Sequence, residues 1–212
     1  MRCKKLLSLL LAVGVLAGMA VMAAPSAAAY TLPEDLTVQA SAAAVVFLGG
    51  NEREDIFLYE KDVDGVHAPA ALIRLMAGAY TLTKIKEKNL DMDTVTGTYT
   101  VEMFNTHVAG TGVTPVGMEF GETWKLRDLL TVSLIQTASD AATTLAYTID
   151  GGVKEFVQGM NDLAKKIGCK NTHFANITGL DSLSQYTTAK DVYRIMRYAL
   201  TFPEFETMIS HK

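Results

Sequence analysis

The sequence predicts a mixed fold, either α+β or an α/β domain that is cut short, because two early strands are followed almost entirely by helices. Residues 43–48 and 56–59 are apolar and β-prone, and the turn signal Gly49-Gly50-Asn51 separates them. We expect these strands to pair as an antiparallel hairpin. Beyond residue 70, apolar residues recur at spacings of three and four, which is the pattern of amphipathic helices.

Helices account for most of the chain after residue 70. The clearest one keeps apolar residues at helical spacing and is stopped by Gly168. A short strand is expected at residues 94–100, and a loop rich in Gly and Thr at residues 105–120. The expected helices run from residue 70 behind Pro69, from the N-cap Thr123, over residues 142–149 up to Gly151, over residues 153–167, and from Asp191 to just before Pro203.

The first 29 residues are typical of a secretory signal peptide. Three basic residues precede an apolar run over residues 6–24, and Ala27 and Ala29 form a small-residue cleavage site of the A-x-A kind. We expect cleavage before Tyr30. The alternative is an uncleaved membrane anchor, because the apolar run is long enough to span a bilayer. In either case the remaining domain, residues 30–212, is expected outside the cytoplasm, in the envelope or secreted.

The composition is that of an ordinary globular domain. Of 212 residues, 49% are hydrophobic and only 20% are charged, which excludes an intrinsically disordered chain. Without the three basic residues of the signal, 16 Lys and Arg stand against 23 Asp and Glu, a formal charge of −7. This acidic balance argues against a nucleic-acid partner. Cys169 is the only cysteine after residue 29, so a disulfide framework is excluded.

Common metal, nucleotide and nucleophile motifs are absent from the sequence. The histidines have neither an H-E-x-x-H motif nor a close Cys or His partner, so metal binding is not expected at His67, His107, His173 or His211. The sequence contains no P-loop and no G-x-G-x-x-G, and it also lacks the G-x-S-x-G nucleophile elbow. We therefore expect no metal and no cofactor.

Several longer segments resemble the secreted serine D-alanyl-D-alanine carboxypeptidases, which are low-molecular-mass penicillin-binding proteins of peptidoglycan metabolism. Each segment is a weak signal by itself, but their order and spacing make the resemblance specific over roughly residues 40–212. The segments are L-Y-E-K-D-V-D at residues 58–64, Pro69-Ala70, the stretch from Gly121-Glu122 to Ser139-Asp140-Ala141-Ala142, and the stretch from Met160-Asn161 through G-C-K-N-T-H-F at residues 168–174 to Gly179-Leu180-Asp181.

The resemblance implies a β-lactamase/transpeptidase-like fold. In that family the two early strands join later strands in one sheet with helices on both faces. The resemblance places those later strands beyond Lys212. We therefore expect mainly the helical part of the domain with an N-terminal hairpin, without the late strands and with an exposed apolar patch.

The catalytic motifs of the family are altered in this chain. The family uses S-x-x-K, in which the Ser attacks and the Lys takes its proton, then S-x-N and K-T-G. The first motif is replaced by Ala71-x-x-Arg74, which lacks a nucleophile and carries a guanidinium that stays protonated. We expect Arg74 to bond a nearby carboxylate or carbonyl instead. The second motif is replaced by Thr137-x-Ser139, and no K-T-G occurs.

Two T-x-x-K pairs offer displaced nucleophiles, Thr81 with Lys84 and Thr187 with Lys190. The first pair lies far from the start of its helix, and a Thr and a Lys one turn apart are common by chance. We expect neither to be catalytic.

Three hypotheses remain. The favoured one is a pseudoenzyme with no intact catalytic residue, which binds peptidoglycan stem peptides or cell-envelope proteins and contacts the membrane only through an uncleaved signal. The second is an active carboxypeptidase or β-lactamase relative that uses displaced residues. The third is a truncated fragment with no independent function, which would unfold without cooperativity.

Overall fold

The computed structural model describes residues 36–50 and 54–210. The expected signal peptide and its cleavage site lie outside the described residues, as does His211. The described chain divides into two compact units, which consist of residues 36–38, 45–50 and 54–59 in one unit and residues 39–44 and 60–210 in the other.

A small sheet begins the described chain. Strand β1 (Ala43–Phe47) pairs with strand β2 (Ile56–Lys61), as the apolar β-prone stretches predict. At the end of this pair, the Gly49 amide donates to Oδ1 of Asp55 at 2.8 Å. This bond holds the two ends of the connection together.

Helices make up most of the rest of the chain. A 3-10 turn at Ala70–Leu72 leads directly into the central helix, where Pro69 stands in the position that precedes the turn. The helices are α1 (Ile73–Lys88), α2 (Val101–His107), α3 (Leu126–Ile135), α4 (Ser139–Asp150), α5 (Val153–Lys166), α6 (Ala189–Ala199) and α7 (Pro203–Ile209).

A second sheet joins two short strands inside the helical unit. Strand β3 (Thr96–Thr98) and strand β4 (Thr123–Lys125) are antiparallel, with Gly97 opposite Trp124. A Cβ added at Gly97 would overlap the Thr148 side chain of α4, so glycine allows the sheet to approach that helix. Within the described ranges, the structure therefore has two two-stranded sheets and a large helical body, which confirms the predicted fold class.

Helix α1 forms the centre of the core. It contacts α3, α5, α6 and α7, and 11 of its 16 residues are buried, so it is enclosed around most of its circumference. Ile73, Met76 and Ala79 are fully buried against apolar faces of the surrounding helices. A helix this well packed places the residues of its first turn, including Arg74, with little freedom to move.

Two sequence-based expectations about residues 100–126 need correction. Thr123 does not cap a helix, because it pairs with Thr98 as the first residue of β4; the helix starts at Leu126 behind Lys125. The expected loop at residues 105–120 begins too early, because α2 extends to His107 after Thr100 caps it by accepting from the Met103 amide.

Helix boundaries near the C-terminus also differ from the expected ones. The helix expected to begin at Asp191 begins at Ala189, because the side chain of Thr188 caps it by accepting from the Asp191 amide. Pro203 lies just past α6, as expected, and it also opens α7, where its missing N–H costs nothing. The start of α6 is thus set by its capping residue Thr188, and the start of α7 by Pro203.

Residues 36–50 and 54–210 contain neither a membrane-spanning helix nor a metal-binding cluster. No helix there is long and apolar enough to cross a membrane. No group of three or more His, Cys, Asp or Glu side chains there is placed to hold a metal ion.

Candidate functional site

Ala71 lies in the exposed 3-10 turn before α1. Its neighbour Ala70 has φ of 44°, a left-handed conformation that is uncommon for a residue with a Cβ. The turn therefore presents Ala71 at the surface through a strained backbone. Its side chain is a methyl group, which can neither attack a carbonyl nor exchange a proton.

Arg74 lies one turn further along and is buried, with 5% of its surface exposed. Its Nη1 donates to the carbonyls of Ser133 at 3.0 Å and Ala138 at 3.4 Å, and its Nη2 donates to the carbonyl of Thr137 at 2.6 Å. We expected Arg74 to bond a carboxylate or a carbonyl, and in the structure it donates to three backbone carbonyls. These carbonyls lie at the C-terminal end of α3 and in the turn that follows, where a positive charge also interacts favourably with the helix dipole.

Burial lowers the pKa of Arg74 to about 10. That value is still well above neutral pH, so the guanidinium remains charged and occupied as a hydrogen-bond donor. A group that is already protonated cannot take the proton of a nucleophile. The geometry therefore gives Arg74 the role of a structural link between α1 and the turn between α3 and α4.

Thr137 lies in that turn, Ser139 is the first residue of α4, and the two form hydrogen bonds with different partners. Thr137 has φ of 53°, and its carbonyl is held by Arg74. Ser139 is fully buried, and both its amide and its Oγ donate to the carbonyl of Thr114, at 3.0 and 3.1 Å. Two of the four predicted positions, Arg74 and Thr137, are in direct contact, whereas the Ser139 hydroxyl is bonded to the loop before β4.

Asp140 extends the anchoring of that loop. Its carboxylate accepts from the amides of Val116, Gly117 and Met118 at 2.8–2.9 Å and is almost completely buried. In the sequence, Asp140 belongs to one of the segments that resemble the family, and this segment predicts no role for its carboxylate. The acidic residue at the start of a helix was a usable signal, but its partners lie more than 20 residues away along the chain.

The segment at residues 168–181 returns to the exposed turn. Oδ1 of Asn176 accepts from the amides of Thr178 and Gly179, which shapes a tight loop. Gly179 has φ of 84° and lies so close to the Ala70 carbonyl that a Cβ would overlap it. Only glycine satisfies both conditions. This contact places residues 176–180 beside Ala71.

The side chains of the two T-x-x-K pairs form other hydrogen bonds and ion pairs. Thr81 is fully buried and donates to the Ala77 carbonyl at 2.8 Å, while Lys84 pairs with Glu87 at 2.8 Å. The hydrogen bond with Glu87 raises the pKa of Lys84, which keeps the amine charged.

The second pair is similarly engaged. The hydroxyl of Thr187 shares a 2.9 Å hydrogen bond with that of Thr172, and Lys190 lies 3.7 Å from the carboxylate of Asp64. Thr187 is also 96% buried, with 4% of its surface exposed. Neither Thr is placed as an exposed nucleophile beside a neutral lysine.

Comparison with known proteins assigns the chain to a family. A family model described as D-alanyl-D-alanine carboxypeptidase matches residues 30–211. The chain belongs to the D-alanyl-D-alanine carboxypeptidase family. This membership confirms the resemblance that the order of the sequence segments indicates, and it covers the helical body as well as the N-terminal strands.

Members of this carboxypeptidase family are similar in sequence over part of their length. The chain is 31% identical over 135 residues to the D-alanyl-D-alanine carboxypeptidase DacF of Bacillus subtilis, covering 64% of this chain and 33% of the relative. It is 30% identical over 145 residues to DacD of Escherichia coli, covering 68% of this chain and 37% of the relative. The chain thus matches about a third of the length of these relatives.

Solved structures of carboxypeptidase family members are similar in fold. The D-alanyl-D-alanine carboxypeptidase DacD from Francisella tularensis superposes with a TM-score of 0.71 at 31% identity, covering 84% of this chain and 41% of that one. Penicillin binding protein 6B from Escherichia coli superposes with a TM-score of 0.67 at 28% identity, covering 74% of this chain and 50% of that one. The helical body therefore follows the architecture of these enzymes.

Proposed function

We propose that this chain is a catalytically inactive member of the carboxypeptidase family, which binds its ligand without cleaving it. The observation that supports the proposal best is the pair at the family's S-x-x-K position. There Ala71 offers only a methyl group, and Arg74 is a buried cation bonded to three carbonyls. Acyl transfer by this family needs both a hydroxyl that attacks and an amine that accepts its proton.

The bonding of the two T-x-x-K pairs and of Ser139 adds support. The two T-x-x-K pairs are buried or ion-paired, as described above. The hydroxyl of Ser139 is buried and donates to Thr114 rather than facing Ala71. An active relative with displaced residues would need at least one exposed nucleophile beside a proton acceptor, and these candidates do not provide it.

The ligand we propose is a peptidoglycan stem peptide that ends in D-alanyl-D-alanine, or an envelope protein that binds at the same place beside Ala71. The named relatives are carboxypeptidases of D-alanyl-D-alanine. Gly179 packs against the turn at Ala71, and Asp140 holds the loop at residues 116–118; we expect the ligand to bind in this region. We place this binding outside the cytoplasm, with the chain starting at Tyr30 after export.

Covalent labelling and product release test the proposed loss of activity. The purified chain is incubated with a fluorescent penicillin and, separately, with a muropeptide ending in D-alanyl-D-alanine; DacD of Escherichia coli serves as the positive control. We expect neither a labelled band nor D-alanine above the blank. Labelling of the chain, or D-alanine release that depends on it, would overturn the proposal in favour of an active relative.

Binding and processing need separate measurements. Calorimetric titration of the exported chain with a stem pentapeptide should give saturable binding, with a tetrapeptide that lacks the terminal D-alanine as the matched control. Equal response to both peptides would refute the proposed ligand while leaving the inactivity intact. Mass spectrometry of the exported protein should show Tyr30 as the first residue; an intact N-terminus would indicate the uncleaved anchor.

A further inference from the structure

A groove of about 650 Å³ lies on the helical body between β4, α3 and α7. Its volume falls within the range of roughly 300–1,000 Å³ that small-molecule sites occupy. Trp124, Val132 and the buried Met208 supply its apolar surface. The indole N–H of Trp124 donates to Oε1 of Glu122 at 2.8 Å, which restrains the ring. Because this N–H is the only polar group of the indole, the ring offers a ligand apolar contact alone.

Hydrogen-bond acceptors and donors both line the groove. The hydroxyls of Thr131 and Thr207 donate to the carbonyls of Arg127 and Pro203, at 2.8 and 3.0 Å. Since each hydroxyl has one hydrogen, these two oxygens remain as acceptors. The side chain of Arg127 uses two of its five N–H groups on Asp93, at 2.7 Å each, and the other three have no partner among residues 36–50 and 54–210. A ligand in this groove therefore meets groups that accept and groups that donate.

Charges of opposite sign offset each other at the groove. The cations Lys125 and Arg127 stand against three carboxylates, those of Asp93, Asp128 and Glu204. Asp93 forms the ion pair with Arg127 and also interacts with Lys125. The carboxylates of Asp128 and Glu204 interact with Arg127 as well. An ionic ligand therefore gains little here, because it meets a like charge beside each opposite one.

These features favour a ligand that is uncharged and rich in hydroxyl groups. An apolar ligand would remove the polar groups of Arg127 and Thr131 from water without giving them partners, which costs free energy. A sugar ring avoids this cost and the charge repulsion, because it is neutral and each of its hydroxyls both donates and accepts. The C–H groups on the faces of a pyranose also suit contact with an aromatic ring such as that of Trp124.

We propose that this groove binds a neutral saccharide of two or three pyranose units. The C–H groups of the sugar would contact the indole of Trp124 and the side chain of Val132. Its hydroxyls would donate to the carboxylate of Asp128 and to the oxygen of Thr131, and would accept from the guanidinium of Arg127. The proposal does not depend on the loss of carboxypeptidase activity, because it uses none of the residues at the altered catalytic motifs.

Trp124 is the only tryptophan in the sequence, so its fluorescence reports contact at this groove. The probes are cellotriose, maltotriose and triacetylchitotriose, each titrated into the full chain. We expect at least one of them to change the emission saturably, with a Kd below about 10 mM. Because these ligands are uncharged, the Kd should change less than about twofold between about 0.05 and 0.5 M NaCl.

Two variants and a matched control test the polar contacts. Asp128→Ala removes the carboxylate, and Thr131→Val removes the hydroxyl with little change in shape. We expect the Kd to rise at least about fivefold for Asp128→Ala and about threefold for Thr131→Val, since each loses a hydrogen bond to the sugar. Asp162→Ala removes an exposed carboxylate of α5 outside the groove and should leave the Kd unchanged. Melting temperatures of the variants confirm that they remain folded.

Four results would overturn the proposal. The first is the lack of saturable binding by all three saccharides at about 10 mM. The second is binding that calorimetry detects without a change in Trp124 emission, which would place the sugar elsewhere. The third is an equal Kd for wild type, Asp128→Ala and Thr131→Val. The fourth is an acetylated peptide of alternating Val and Thr that changes the emission at lower concentration than any saccharide, which would show that the groove binds an extended peptide instead.

Discussion

The guanidinium of Arg74 and the carbonyl of Thr137 are joined by a 2.6 Å hydrogen bond across 63 residues of sequence. Thr137 is β-branched and has φ of 53°, a conformation that costs free energy for such a residue. The bond therefore holds a strained turn in place. In the proposed pseudoenzyme, this structural cation takes the place of the S-x-x-K lysine that accepts a proton in the family.

Replacing Arg74 by methionine should destabilise the fold by about 2–4 kcal/mol, because three carbonyls lose a charged donor and are left buried. Urea unfolding monitored by circular dichroism gives the change. Arg127→Met is the matched control, since its partner Asp93 is exposed and the midpoint should move little. Equal shifts for the two variants would refute a structural role for Arg74. Cooperative unfolding of the wild-type chain would also contradict the hypothesis that the chain is a truncated fragment without independent function.

Introducing Ser at Ala71 should not restore labelling by penicillin. The new hydroxyl would lie at the start of α1, but Arg74 remains protonated at neutral pH and bonded to its carbonyls. The fluorescent penicillin assay compares Ala71→Ser with the double variant Ala71→Ser/Arg74→Lys. Labelling of the single variant would show that this site has another proton acceptor, and labelling of the double variant alone would identify Arg74 as the block.

Gly179→Ala should destabilise the chain by about 1–3 kcal/mol more than Gly168→Ala. Both glycines have nearly the same left-handed φ, 84° and 85°, so both substitutions carry the same backbone cost. Only at Gly179 would the new Cβ also overlap a carbonyl, that of Ala70, whereas Gly168 faces open space. Thermal unfolding of the two variants measures the difference, and identical melting temperatures would argue against the close contact beside Ala71.

The carboxylate of Asp191 should make the fold sensitive to acid. Burial alone would raise its pKa, but hydrogen bonds from the Asn171 amide, the Thr172 hydroxyl, Arg194 and the Lys170 amide outweigh burial and lower it. The pKa of Asp191 is lower in the folded than in the unfolded chain. Its carboxylate therefore adds fully to the free energy of unfolding above about pH 4, and this stabilisation is lost as the pH falls through the folded pKa.

Asp191→Asn tests this assignment. The amide has one acceptor oxygen in place of two, so part of the donors that hold residues 170–172 would lose their partner. We expect lower stability than wild type at pH 7 and a smaller difference near pH 2. A stability gap that stays constant from pH 7 to pH 2 would contradict a charged role for Asp191.

The long helices and the family could be predicted from the sequence, because both depend on local residue patterns. Apolar spacing located α1, α4, α5 and α6 to within a few residues, since a buried helix face repeats every three to four positions. Apolar spacing did not predict the short helices α2 and α7, because a helix of seven residues has too few turns to show a repeating apolar face. Their starts depend instead on Thr100 and Pro203. Thr123 was misassigned because a capping residue and a strand residue look alike until Thr98 is seen opposite it.

At the candidate site, too, the sequence predicts some features, and others are seen only in the structure. The order of the segments predicts that Ala71 and Arg74 stand where the family has a nucleophile and its base. The three carbonyls that bind Arg74 and the contact of Gly179 with Ala70 could not, because the partners are 59 to 109 residues apart and meet only when the helices pack. Residue type sets which chemistry is possible at a position; the packed chain decides which partner that chemistry meets.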